Sequence, residues 1–221
     1  MPSPSPISRD QIDAAWGIYG PSAWNQQAQD GALYAFGRAK DEWGFDRVLM
    51  MAAAINQLYN AGHPRLIEAT KLIVEAKQSG RLDPDLDPVD IVETIGLLPL
   101  GNAPRYYWPF ASKFSHFFVS DRVPLFDRWA LIAVEHYAGP LYSPDRGDLN
   151  RIFVEKLRPL TDPVSPPTSR QLDWFLWLSG MYRAWKAQDD PEQRKKLGIS
   201  RGVQSMFKEP ENQQTLELLL T

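Results

Sequence analysis

Phe45-Asp46-Arg47-Val48-Leu49-Met50-Met51-Ala52-Ala53-Ala54-Ile55-Asn56-Gln57-Leu58-Tyr59-Asn60 decides the fold class. Val48, Leu49, Ala52, Ile55, Leu58 and Tyr59 recur at steps of three and four, the spacing that lays one apolar stripe along an α-helix, and Gly62 follows as a stop. A half-buried strand would need alternation with a period of two, which is nearly absent here and elsewhere. Outward from this stretch the helical pattern repeats between start and stop signals. Ser8 with Gln11, and Thr168 with Gln171, read as capping boxes. Pro88 and Pro191 suit first turns, and Gly80 and Gly139-Pro140 suit helix ends. His63-Pro64 reads as the start of the helix that Gly80 closes. Further helices are expected over 149–157, from Leu172 to about Ala187, and as a last turn over 215–220. The expectation is an all-α chain of roughly nine to eleven helices. Residues 1–8 read as a disordered Pro/Ser tail, and 9–221 as an all-α domain with one lobe, or two lobes with a cleft between them.

Composition narrows the function classes. The chain has 221 residues, 43% hydrophobic and 23% charged, which suits an ordinary globular core. With no Cys, it has neither disulfides nor thiol catalysis nor a thiolate zinc site. Its three His, at 63, 116 and 136, are too scattered for a His-rich metal site, and no cofactor is implied. No apolar run approaches the ~20 residues that span a bilayer. The start, Met1-Pro2-Ser3-Pro4-Ser5-Pro6, lacks the basic-then-apolar order of a signal peptide, so a cytoplasmic protein with no membrane contact is expected. The net charge of −3 gives no global attraction to nucleic acid, so a DNA-binding role requires a local basic face.

Side-chain chemistry concentrates between Tyr106 and Trp129. A strongly aromatic helix is expected from about Pro104 to Ser120, bent at Pro109. Phe110, Phe114, Phe117 and Phe118 fall on one helical side and read as core. Lys113 lies among apolar neighbours. Either it loses hydration and becomes a candidate nucleophile, or it snorkels to the surface. Asp127, after Pro124-Leu125-Phe126, is placed to cap a helix running to Tyr137; a fixed carboxylate facing a cleft would also stabilise cationic charge or orient a water.

Three pieces together carry a resemblance. Leu98-Pro99-Leu100-Gly101-Asn102 has the form of a turn between helices, Phe110-Ala111-Ser112-Lys113-Phe114 follows on a helix, and Pro124-Leu125-Phe126-Asp127 closes a loop at a helix start. The set resembles the helix-hairpin-helix DNA glycosylases. More narrowly, with Leu172-Asp173-Trp174-Phe175-Leu176-Trp177, it is similar to a bacterial group with an 8-oxoguanine-DNA-glycosylase-like fold. The likeness spans roughly residues 45–185.

The resemblance implies a base-excision enzyme of repair or phage defence, which turns a nucleotide out of duplex DNA into a pocket and hydrolyses its N-glycosidic bond. It implies that Asp127 is the catalytic acid and that Leu98 to Ala103 is the hairpin, whose Gly101, Asn102 and Ala103 amides meet DNA phosphate. The family hairpin reads Leu-Pro-Gly-x-Gly; Leu100 and Asn102 replace its glycines here. Bifunctional members carry the Schiff-base Lys just after the hairpin, where this chain reads Ala103-Pro104-Arg105. Lys113 is then the remaining candidate, and without it the enzyme is monofunctional or the site inactive. Arg105, Arg122 and Arg128 are expected to bind DNA beside the site. Residues 183–208 hold seven Lys/Arg against three acids and form either a basic face or a solvated helix surface. The tryptophans fill the interior, or one or two stack on a flipped base. Trp108, beside the hairpin, is the first candidate for that base pocket, with His116 near it. Two rival readings are an interaction module that keeps the fold and binds a protein or nucleic acid without cutting it, and an enzyme acting on a free nucleoside or another small purine.

Overall fold

The computed structural model describes residues 6–22, 24–38, 43–97, 106–161 and 167–221. The all-α expectation holds. Among the described residues the chain forms twelve α-helices and two short 3-10 turns, and no strand. In order these are α1 (Arg9–Ser22), α2 (Trp24–Arg38), α3 (Phe45–Leu58), α4 (Leu66–Gln78), α5 (Pro88–Gly96), α6 (Trp108–Phe118), α7 (Arg128–Ala138), α8 (Leu149–Leu157), α9 (Ser169–Lys186), α10 (Pro191–Lys196), α11 (Arg201–Met206) and α12 (Pro210–Leu218). They fall into two compact units.

The first unit joins residues 1–23, 127–142 and 155–221. Its centre is α9, which packs on α7 and on α1, while α12 covers α1. Trp174, Phe175, Leu178, Tyr182 and Trp185 are all buried along α9, as expected of a helix enclosed by others. Thr168 and Gln171 start it with a reciprocal capping box, and Ser8 and Gln11 do the same for α1. Gly180 allows the closest approach: a Cβ there would stand 1.9 Å from the Trp129 carbonyl oxygen on α7. The chain end is tied inward, with Ser179 Oγ and Arg183 Nη2 both donating to the Leu219 carbonyl.

The second unit joins residues 24–126 and 143–154. Here α6 is central, packed by α2, α3 and α5, and it buries every residue except Pro109. Trp43 and Phe118 meet Phe114 edge to face, and Phe110 tilts against it. Trp108 presses on Gly96 of α5.

Several expectations are corrected. Pro109 does not bend a helix; α6 begins at Trp108, so the proline stands in the first turn, where an amide would have no helical partner. The helix after His63-Pro64 begins only at Leu66, because the Asn56 side chain holds both the amide and the carbonyl of His63 in a turn. The expected last turn is a full helix, α12, entered through Pro210. Before it stands α11, capped by Ser200 and missed by the periodicity because it is only six residues long. The tail expected over 1–8 is anchored before its end: Ile7 is buried and its amide donates to the Leu160 carbonyl.

Candidate functional site

The site grows from one side of α6. Ser112, Lys113 and His116 are spaced so that they point toward the returning loop 119–126, which α6 meets through backbone groups. The Phe126 amide donates to Ser112 Oγ at 3.0 Å. Lys113 Nζ donates to the Phe126 carbonyl at 3.2 Å. His116 Nδ1 lies 2.7 Å from the Val123 carbonyl. A carbonyl can only accept, so Nδ1 carries the proton, and in the neutral ring Nε2 accepts from the Tyr34 hydroxyl 2.5 Å away. The loop is thus stapled at three points, with Val123, Leu125 and Phe126 buried.

Lys113 does not snorkel. It is 4% exposed, because the Phe126 carbonyl supplies an acceptor inside the unit and the Tyr59 ring lies 5.8 Å from the amine. Around it stands a polar group that sequence reasoning missed. Tyr59, which follows α3, donates to buried Asp30 of α2, and the Tyr34 and Tyr59 rings both pack on Phe117. One signal was available: Asp30 precedes Leu33 and Tyr34 by three and four residues, which sets an acid on the inward side of α2. Ser112 was visible only as a small residue beside Lys113.

Asp127 caps α7 as expected. Its backbone is extended, and Oδ1 accepts from the amides of Trp129 at 2.8 Å and Ala130 at 2.9 Å. The residue is half-buried, and among the described residues its carboxylate makes no other hydrogen bond. Arg128 beside it is exposed; its guanidinium lies 4.0 Å over the Trp129 ring and donates to the Leu197 carbonyl.

The remaining candidates are dispersed. Arg122 is exposed and bound to the carbonyls of Pro84 and Leu86. Trp108 is 3% exposed, with its indole N–H donated to the Arg146 carbonyl at 2.9 Å and its ring stacked on Tyr106. It fills the interior at the far end of α6 from His116, and a packed ring offers no face to a base. His116 is buried with both nitrogens engaged. Gly101, Asn102, Ala103 and Arg105, with the rest of the expected hairpin, lie outside the described residues.

Elsewhere in the second unit, the His63 ring packs tilted against Tyr107 and Phe110, and burial pushes its pKa down to about 4 against the upward pull of Glu68. Among the described residues no group of three or more His, Asp or Glu could hold a metal ion, and no helix is long and apolar enough to cross a membrane. Compared with models of known families, with curated proteins and with solved structures, the chain matches none.

What the arrangement offers chemically is a carboxylate fixed through one oxygen at a helix start. Separately, within the second unit, loop 119–126 is held by a buried hydroxyl, an amine and an imidazole.

Proposed function

We propose that this chain is a glycosylase-like hydrolase acting on DNA, which cleaves the N-glycosidic bond of a modified or damaged base turned out of the duplex. The observation that carries this reading is the Asp127 carboxylate, with one oxygen fixed by two helix amides and no further hydrogen bond to it among the described residues. A charge fixed before substrate arrives stabilises a developing positive centre without reorganising. In the reaction the C1′–N bond breaks and its electron pair leaves with the base, which takes up a proton from solvent. Positive charge grows on the sugar, where Asp127 stabilises it. Water adds to C1′ and gives its proton to the carboxylate, leaving an abasic site.

In this reading Lys113 is not the nucleophile: its buried amine donates to the Phe126 carbonyl within the second unit, and the reaction proposed is hydrolysis without a Schiff base. The net charge of −3 favours a second reading, in which the same carboxylate serves a free nucleoside rather than a polyanion.

Purified protein incubated with duplexes carrying oxidised or hypermodified bases is expected to release free base, read by chromatography, and Asp127→Asn is expected to abolish the release. Asn caps helices about as well as Asp, so the loss reports chemistry rather than folding. No release from any duplex by the wild-type protein would overturn the reading in favour of an interaction module. Release from free nucleosides alone would establish the second reading.

A further inference from the structure

We propose that α10, α11 and Arg128 form a grip on the phosphate backbone of duplex DNA, set beside the Asp127 carboxylate in the first unit. The choice of DNA rests on the glycosylase reading; the grip itself rests on charge and geometry. Residues 194–208 contain Arg194, Lys195, Lys196, Arg201 and Lys208 and no Asp or Glu, in a chain whose net charge is −3. The structure separates the cations that are engaged from those that are not. Arg194 lies 4.3 Å over the Trp185 ring and donates to the Gln188 carbonyl. Lys195 pairs with Glu192 at 2.6 Å, and Asp190 is turned to the start of α10 as its cap. Lys196, Arg201 and Lys208 are exposed and make no side-chain hydrogen bond or ion pair among the described residues.

These cations are joined to the proposed site through one hydrogen bond. Arg128, the residue after Asp127, donates to the carbonyl of Leu197, which follows Lys196. The end of α10 is thereby fastened to the first turn of α7. Gly198, with φ +67°, turns the chain directly into α11, so Arg201 follows within three residues. A left-handed residue there suits only glycine without strain. A pocket for one small anion would converge its donors on a point. Here Lys196 ends α10, Arg201 opens α11 and Lys208 follows α11, so the unengaged cations are distributed along the chain, which suits several phosphates bound by release of counterions.

The test uses the full chain and a short unmodified DNA duplex, with affinity measured across a salt series. Wild-type protein is expected to bind with a steep negative slope of log affinity against log salt. The triple variant Lys196→Gln/Arg201→Gln/Lys208→Gln should bind at least about tenfold more weakly at low salt, with the slope shallower by about 0.9 for each phosphate that is no longer neutralised. Its thermal midpoint should match wild type, since none of the three side chains holds the fold. Equal slopes for the two proteins overturn the grip, as does binding to anionic vesicles but not to the duplex. If wild type and Asp127→Asn both bind steeply while neither releases base from any duplex, the grip stands and the glycosylase reading falls. If base is released and the triple variant is unaffected, the reverse holds.

Discussion

The Lys113 ammonium and the Phe126 carbonyl meet at 3.2 Å inside the second unit, thirteen residues apart in the chain and one residue before Asp127. An amine held this way is a clamp and not a free nucleophile. With a duplex carrying an abasic site, borohydride is therefore expected to trap no covalent protein–DNA complex. Lys113→Met, of similar length and without the amine, leaves the buried Phe126 carbonyl without this donor and is expected to cost about 1–3 kcal/mol of stability, read from urea unfolding. A trapped complex that disappears in Lys113→Met would instead make Lys113 the nucleophile.

The other half of the clamp is a matter of stability. Ser112 is fully buried, and its hydroxyl accepts the buried Phe126 amide at 3.0 Å. Ser112→Ala leaves that amide without its acceptor in a place water does not reach. The expected loss is about 1–3 kcal/mol, read from equilibrium urea unfolding. A variant as stable as wild type would show that the loop is held without Ser112.

Different physics explains what the sequence disclosed and what it concealed. Helices α3, α8 and α9 were legible because apolar spacing and caps are local, and Asp127 was legible as a cap for the same reason. The clamp was not. Its partners are the backbone groups of Val123 and Phe126, which every residue type carries, so no composition or spacing marks them. The burial of Lys113 turned on whether a carbonyl would wait for it inside, a property of the loop and not of the helix. Tyr34 and His116 lie 82 residues apart, and only the packing of α2 on α6 brings them together. Pro109 misled because the start of α6 was placed about four residues early, which turned a first-turn proline into an apparent bend.

Acid is expected to weaken the fold through His63. The ring is 3% exposed, its Nδ1 accepts the Arg65 amide at 3.3 Å, and burial holds its pKa at about 4 against an ordinary 6.5. Below about pH 6.5 the unfolded chain takes up a proton that the folded chain refuses, so stability is full above that pH and falls as pH drops toward 4. At pH 5 the loss from this group is about 2 kcal/mol. His136 is shifted the same way, by burial first and by Arg183 second, and adds loss of the same sign. Urea midpoints at about pH 7.5 and about pH 5 should differ for wild type and differ less for His63→Gln. Identical pH dependence in the two proteins would rule the imidazole out as a source.

The packing of α7 on α9 offers a sharper test of what holds the first turn of α7. A Cβ at Gly180 would stand 1.9 Å from the Trp129 carbonyl oxygen and 2.7 Å from its carbon. Both are backbone atoms, so no rotamer change relieves the clash and the two helices must separate. Trp129 is also one of the two amides bound by Asp127 Oδ1, so the separation strains the cap itself. Gly180→Ala is expected to cost about 3 kcal/mol or more, at or beyond the upper end of ordinary overpacking. Gly202 in α11 is the control, since a Cβ there meets nothing within 4 Å. Gly202→Ala should be neutral or stabilising by up to about 1 kcal/mol, because alanine is the better helix former. In thermal melts Gly180→Ala should fall well below wild type while Gly202→Ala does not; if the two variants melt alike, the close approach of α9 to Trp129 does not hold in solution.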